Sequence, residues 1–364
     1  MKKKKLKIGV LFGGKSAEHE VSLQSARNVI ETLDKKKYEI IPIGIDKKGR
    51  WLLNNTSNYL LNSDNPELIK LNKSQKEIVL CAESQGVITT VNDKKSPGKI
   101  DVIFPILHGP FGEDGSIQGL LKVAGIPFVG AGVLGSAVGM DKDIMKKLLK
   151  EAKIPIGKFI TLKSDDKIDF NKLRKFLGLP FFIKPANMGS SVGVSKVKNI
   201  NEFKKAIQEA FEYDTKIIIE EFIKGREIEC SVLGNNNPIA SVPGEVIPNH
   251  DFYSYEAKYI DENGAILEIP AKINKNSIKK IQTLAIKTFK ALDCEGMARF
   301  DCFLKKNREV IVNEINTIPG FTNISMYPKL WEATGLSQTK LLDRLIQLAI
   351  ERFKCEKKLK TTFK

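Results

Sequence analysis

The chain has 364 residues, 42% hydrophobic and 28% charged, with a formal net charge of +16, a size that suits two or three packed domains. No apolar run approaches a membrane span, and five scattered cysteines (Cys81, Cys230, Cys294, Cys302, Cys355) lack metal-ligand spacing, so free thiols in a reducing cytoplasm are expected. The lysines are spread along the whole length with no aromatic-interleaved basic stripe, which favours a modest attraction for an anionic substrate over a nucleic-acid or membrane surface.

Met1-Lys2-Lys3-Lys4-Lys5 superficially resembles a secretory start. Lys7 interrupts the apolar part, however, and Gly13-Gly14-Lys15 replaces a cleavage site, so a solvated tail is expected. Leu6 to Phe12 then has a buried-strand pattern, and Gly13-Gly14-Lys15-Ser16 leads into a helix from Ala17 to Leu33. Glu18 suits either the positive end of that helix or a substrate ammonium. Further strands are expected at Glu39 to Ile45, Val102 to Leu107 and Pro127 to Val129, with a helix from Ser116 to Val123. This alternation predicts an open parallel sheet whose ligands bind beyond the strand ends. Asn54 to Pro97 is weakly patterned except for a hairpin around Glu77 to Val91. His108-Gly109-Pro110-Phe111-Gly112-Glu113-Asp114-Gly115 forms a tight polar loop at the ligand edge, where His108 suits a substrate carboxylate or a structural role.

A second region opens near Met140 with a helix carrying Lys142, Lys146, Lys147 and Lys150. Strands follow at Lys158 to Leu162, Phe181 to Lys184, Gly193 to Val197, Ile217 to Phe222 and Glu227 to Leu233, with a helix from Asn201 to Phe211. Lys184 ends a strand before the small-residue loop Ala186 to Gly193. Backbone N–H groups there can approach phosphates closely, and the same residues equally suit a flexible hairpin tip. Ile217 to Ile223 is an apolar strand ending in Glu220 and Glu221, which suits a nucleotide edge or an exposed sheet edge.

The third region holds an aromatic segment, Phe252 to Tyr259, that reads as a water-excluding lid or a packed loop. A helix near Ser277 to Leu292 and a final helix from Ser337 to about Phe353 flank a hairpin of Met297 to Leu304 and Val310 to Ile315. On its strands Arg299 and Asp301 share one face, as do Glu314 and Asn316. If the two faces coincide, oxygen donors and a guanidinium converge, which suits a hard divalent cation with a phosphate rather than a bare surface ion-pair ladder.

Jointly, Gly13-Gly14-Lys15-Ser16-Ala17-Glu18, the His108 to Gly115 loop, Lys184-Pro185 with Gly189-Ser190-Ser191-Val192-Gly193, Glu256-Ala257-Lys258-Tyr259 and Arg299-x-Asp301 with Glu314-x-Asn316-Thr317-x-Pro319-Gly320 resemble the D-alanine–D-alanine ligase family over nearly the whole chain. The resemblance implies an α/β ATP-grasp fold of three domains: 1–139 as an N-terminal substrate domain with an open parallel sheet, 140–234 as a central subdomain, and 235–364 with the metal site and lid. ATP would lie between the last two. It implies ATP-dependent joining of two D-alanines through an acyl phosphate for peptidoglycan synthesis, with two Mg²⁺ or Mn²⁺ ions, in a cytoplasmic homodimer with no nucleic-acid or membrane partner.

By the same resemblance, Asp301, Glu314 and Asn316 would hold the metal, and Arg299 and Gly320 would stabilise the tetrahedral oxyanion. Lys142, Lys184, Ser191 and Val192 would hold phosphates, and Glu220, Glu221, Phe222, Ile223 and Glu227 would line the nucleotide pocket. Glu18 would receive the first ammonium, with His108 near the first carboxylate. Lys258, Ser325 and Met326 would take the second carboxylate, and Ser190, Tyr259 and Glu18 would link the closed lid. Some members carry a lysine where this chain has Glu221, so backbone contacts to the base are expected there. Tyr259 favours D-alanine as second substrate over D-lactate. The rival readings are an ester-forming depsipeptide ligase and a non-catalytic nucleic-acid-binding protein.

Overall fold

The structure, a computed structural model, describes residues 4–63, 65, 68–72, 76–92, 98–248 and 265–363. Leu6–Gly13 (β1) pairs in parallel with Tyr38–Ile45 (β2) on one side and Val102–Ile106 on the other. Trp51–Leu53 (β3), Lys76–Leu80, Val87–Thr90 and Gly98–Lys99 extend the sheet beyond β2, each antiparallel to its neighbour. The expected parallel sheet is therefore parallel only around β1. Short connections join β2 to β3 and Lys76–Leu80 to Val87–Thr90, too short for the crossover of a dozen or more residues that parallel pairing needs, while residues 54–75 separate β3 from Lys76–Leu80. Pro127 to Val129, expected as a strand, contributes a single parallel bridge from Phe128 to Ile103.

The helix His19–Thr32 (α1) buries Leu23, Ala26, Val29 and Ile30 against β1. The same core includes Ile318, Phe321, Tyr327 and Trp331 and the last helix, Gln338–Glu356, through Leu341, Leu342 and Leu345. The N-terminal sheet and the C-terminal end of the chain thus share one apolar interior. Arg352 of the last helix, buried over the Phe128 ring, donates to the Phe128 and Gly130 carbonyls at 2.8 and 2.6 Å.

The second sheet is antiparallel and runs Phe159–Lys163, Lys216–Glu221, Phe181–Pro185, Ser195–Val197 across its width. Its apolar face carries Phe181, Ile183, Ile217 and Ile219 into a core with the helices Phe170–Leu177 and Ile200–Phe211. Arg226–Gly234, which follows directly in sequence, pairs instead with Gly296–Leu304 in the third sheet. Among the described residues, three helices have no counterpart in the sequence expectations: Val133–Met140, Phe170–Leu177 and Met326–Ala333. Each is 8 residues long, too short to show a clear period.

Candidate active site

In the third sheet, alternation separates the two faces. Ala298, Phe300 and Cys302 with Ile228, Cys230 and Val232 pack into an apolar core with Ile281, Ala285 and Phe289 of the helix Lys275–Ala291. Arg299 and Asp301, with Glu227 and Glu229, therefore lie on the opposite face. The strand Val310–Asn316 needs one more device. Val312 pairs with Cys302 and faces the core, and unbroken alternation would send Glu314 there too. The register shifts between Asp301 and Cys302, so Asp301 faces Glu314 and Arg299 faces Asn316. Asn313 is the extra residue of this bulge, and it turns Glu314 and Asn316 onto the polar face.

Arg299 donates from Nε and Nη2 to the two Asp301 oxygens at 2.8 and 2.7 Å, and its Nε lies 3.0 Å from Glu229 Oε2. Lys142 Nζ donates to the Met188 carbonyl at 2.6 Å and lies 3.9 Å from Glu314 Oε2. Burial pulls the Lys142 pKa down, against the charge of Glu314. Lys142 and Lys146 lie one turn apart on the helix Lys142–Glu151, under the second sheet. There Glu220 Oε2 meets Lys146 Nζ at 3.1 Å, and Glu220 Oε1 pairs with Lys184. Burial pushes the Glu220 carboxyl up, but the two lysines outweigh it and hold the group at about 2. Glu221 sits on the other strand face, and its Oε1 accepts from the Lys158 N–H at 2.8 Å. Its side chain is thus turned away from Glu220 and Lys184. Phe222 is 42% exposed beside Phe182, with Lys196 Nζ 5.0 Å above its ring.

Glu18 stands at the start of α1, where Ser16 Oγ accepts from its N–H at 3.1 Å and in turn donates to the His108 carbonyl at 2.7 Å. Ser190 Oγ donates to Glu18 Oε1, joining the first and second units. Ser190 and Ser191 have φ of +51° and +62°, a strained geometry that small-residue loops adopt at ligand sites. Gly109 has φ of +76°, and a Cβ there would stand 2.6 Å from Glu18 Oε2. Its N–H donates to Glu113 Oε2 at 2.7 Å. Burial first, and then the charge of Glu18, push the Glu113 carboxyl up to about 8.

His108 is buried, with Nδ1 3.2 Å from the Ile318 carbonyl and Nε2 3.2 Å from Ser25 Oγ. Desolvation lowers its pKa to about 4, so the ring is neutral near pH 7. Both ring nitrogens are engaged within the protein, a geometry that accords with the structural alternative read from the sequence. Asn316 Oδ1 accepts from the Ile318 N–H at 3.1 Å. A Cβ on Gly320 would sit 2.7 Å from Ser325 Oγ, so any larger residue would have to displace that hydroxyl. Ser325 Oγ also accepts from the Thr322 N–H at 2.9 Å, and Met326 opens the helix Met326–Ala333. Lys258, Tyr259 and the expected lid lie outside the described residues.

Family models described as D-ala D-ala ligase N-terminus and D-ala D-ala ligase C-terminus match residues 7–131 and 148–347. The chain belongs to the D-alanine–D-alanine ligase family. The D-alanine–D-alanine ligase of Oceanobacillus iheyensis is 56% identical over 361 residues, covering 98% of this chain and 99% of the relative. The D-alanine–D-alanine ligase structure from Coxiella burnetii aligns with a TM-score of 0.85 at 42% identity, over 98% of this chain and 97% of the other. The Bacillus anthracis D-alanine–D-alanine ligase complexed with ATP aligns with a TM-score of 0.72 at 29% identity, over 96% and 99%. The fold is the ATP-grasp fold of this ligase family.

Sequence reasoning passed over Lys146, Glu229 and Ser25. The first two had a signal available. Lys146 is four residues after Lys142 on one helix, and Glu229 shares the strand face of Glu227. Ser25 had none, because its partners are 83 and 296 residues away.

Proposed function

We propose that the cleft between the three units binds ATP and two D-alanine molecules and joins them for peptidoglycan synthesis. The carboxylate of the first D-alanine attacks the γ-phosphorus, releasing ADP and forming an acyl phosphate. The amine of the second attacks the acyl carbon, and the tetrahedral intermediate expels phosphate. The supporting observation is the register that sets Asp301 opposite Glu314 and Arg299 opposite Asn316 on one sheet face.

Lys142 and Lys184, already buried and carboxylate-paired, provide positive charge for the phosphates with the backbone of the Ser190 to Gly193 loop. Phe222, Ile223, Glu227 and the Glu221 backbone border the nucleotide. Glu18 takes the first ammonium, while Lys258, Ser325 and the Met326 N–H take the second carboxylate, the last two at a helix N-terminus suited to anions. Ser190, Glu18 and Tyr259 link the lid. Arg299 and the Gly320 N–H face the developing oxyanion, a contribution whose loss typically costs ~10²–10³ in rate.

Asp301, Glu314 and Asn316 fit Mg²⁺ or Mn²⁺. They are oxygen donors on one sheet face, and Glu229 gives Arg299 a second acceptor when Asp301 is taken by a cation. Among the described residues no three His, Cys, Asp or Glu side chains form a complete cage, which suits ions that finish their shell with phosphate oxygens. Two such ions would supply charge neutralisation to the phosphates.

The enzyme acts as a homodimer in the cytoplasm, its mass in solution being checked by light scattering. No described helix is long and apolar enough to cross a membrane. The deciding experiment is phosphate release from ATP with Mg²⁺, scanned over D-alanine, L-alanine, D-lactate and D-serine, with product identified by mass. D-alanine should give dipeptide and stoichiometric phosphate; release independent of D-alanine, or a preference for D-lactate near neutral pH, would overturn the reading.

A further inference from the structure

The turn from Ile318 to Phe321, which carries the Gly320 N–H, is gripped from the N-terminal unit at three points. His108 Nδ1 lies 3.2 Å from the Ile318 carbonyl, Ser25 Oγ accepts from the Phe321 N–H at 3.2 Å, and Asn28 Nδ2 donates to the Phe321 carbonyl at 2.6 Å. Ser25 Oγ and His108 Nε2 are 3.2 Å apart, which joins two of the grips into one chain. The proton order follows from the fixed partners. The Ile318 carbonyl can only accept, so the neutral ring donates to it from Nδ1, and Ser25 Oγ, which accepts from the Phe321 N–H, gives its own proton to Nε2. Nε2 is then unprotonated, and the ring proton sits on Nδ1, pointing at the Ile318 carbonyl. Ser25 is fully buried and His108 nearly so, so water does not compete for these bonds.

We propose that Ser25, Asn28 and His108 are positioning residues that clamp this turn and so fix where the Gly320 N–H points. The proposal rests on the oxyanion role assigned to Gly320 above. The turn has no regular secondary structure and is joined to the metal strand only through Asn316 and Thr317. The Ile318 and Phe321 side chains anchor it in the first core, and the hydrogen bonds to α1 and to the loop after Ile106 orient its backbone. A misplacement near 1 Å at a reacting centre costs on the order of 100-fold in rate. Because the Gly320 N–H acts on the tetrahedral species, loosening the clamp lowers kcat more than it raises KM.

The test compares His108→Ala, His108→Gln and Ser25→Ala with the wild type. It measures steady-state phosphate release, melting temperature, and hydrogen exchange of the peptide spanning 317–322. His108→Ala should lower kcat by about 10- to 100-fold while KM for ATP stays within about twofold. His108→Gln, whose amide can both donate and accept, should recover most of the loss. Ser25→Ala should lower kcat less and speed exchange across the turn. Retention of kcat within about twofold in both alanine variants would overturn the proposal. So would a raised KM for the first D-alanine at unchanged kcat, the signature of a direct contact from His108 to substrate. If His108→Ala does not fold, Ser25→Ala decides: unchanged exchange and kcat there overturn the clamp. A wild type without D-alanine-dependent release would defeat the ligase reading alone, since turn exchange still reports on the clamp.

Discussion

Glu220 illustrates how a single buried charge is kept ionised. Its carboxylate is almost fully removed from water, yet Lys146 and Lys184 flank it, one on each oxygen. Removing one partner of a buried pair strands the remaining charge, at a typical cost of about 3–5 kcal/mol. Lys146→Met should therefore lower the melting temperature clearly in thermal denaturation, and weaken ATP binding through displaced Lys184. An unchanged melting temperature would show that Lys184 alone suffices. Glu314 makes a different case. It is half-buried, with Lys142 Nζ 3.9 Å from its Oε2. Glu314→Gln keeps the shape and removes the charge, so the fold should persist while dipeptide synthesis falls by ~10²-fold or more. Circular dichroism and the phosphate assay together check this, and wild-type activity would contradict the metal assignment.

At the scale of the element, the bulge at Asn313 carries the site. Both strands of the hairpin alternate between the apolar core and the polar face, and one extra residue changes which side chains reach which face. Deleting Asn313 should restore unbroken pairing, with Glu314 directly after Val312 and still opposite Asp301 on the polar face. The expected result is a folded hairpin that keeps Mg–ADP binding by calorimetry, because Glu314 and Asn316 keep the polar face while Val312 and Ile315 keep the core. Loss of Mg–ADP affinity would mean that the bend of the bulge, and not only the facing of the donors, shapes the site. The hairpin itself was legible from its two apolar runs and the turn-prone Lys305 to Arg308. The coincidence of its faces was not, because a bulge leaves no reliable sequence signature.

Over the whole molecule, two buried groups give stability opposite slopes with pH. His108 is held at about 4, below its usual 6.5, mainly by burial. The unfolded chain binds more protons in that interval, so this contribution is full above 6.5 and is lost as pH falls toward 4. Glu113 is raised to about 8 from 4.5, again mainly by burial. Here the folded chain binds more protons, so the contribution is full below 4.5 and is lost as pH rises toward 8. Relative to wild type, His108→Gln should flatten the acid-side fall in melting temperature, and Glu113→Gln should flatten the fall between pH 6.5 and 8. Parallel curves for all three proteins would refute both assignments.

The sequence alone determined the order of most strands and helices, the oxygen-donor hairpin and the loops around Glu18, His108 and Ser190. These are local: period, turn chemistry and residue type are written in consecutive residues. It also carried the family likeness that the comparisons established. Tertiary structure alone decided that the first sheet is antiparallel beyond β2, that Arg226–Gly234 joins the third sheet, and that Glu221 turns away from Glu220's lysines. It also decided that Ser25 and His108 meet the Ile318 to Phe321 turn. Those outcomes depend on hydrogen bonds and burial between residues up to 296 positions apart, and such pairings are set by how whole units pack, which no window of neighbouring residues encodes.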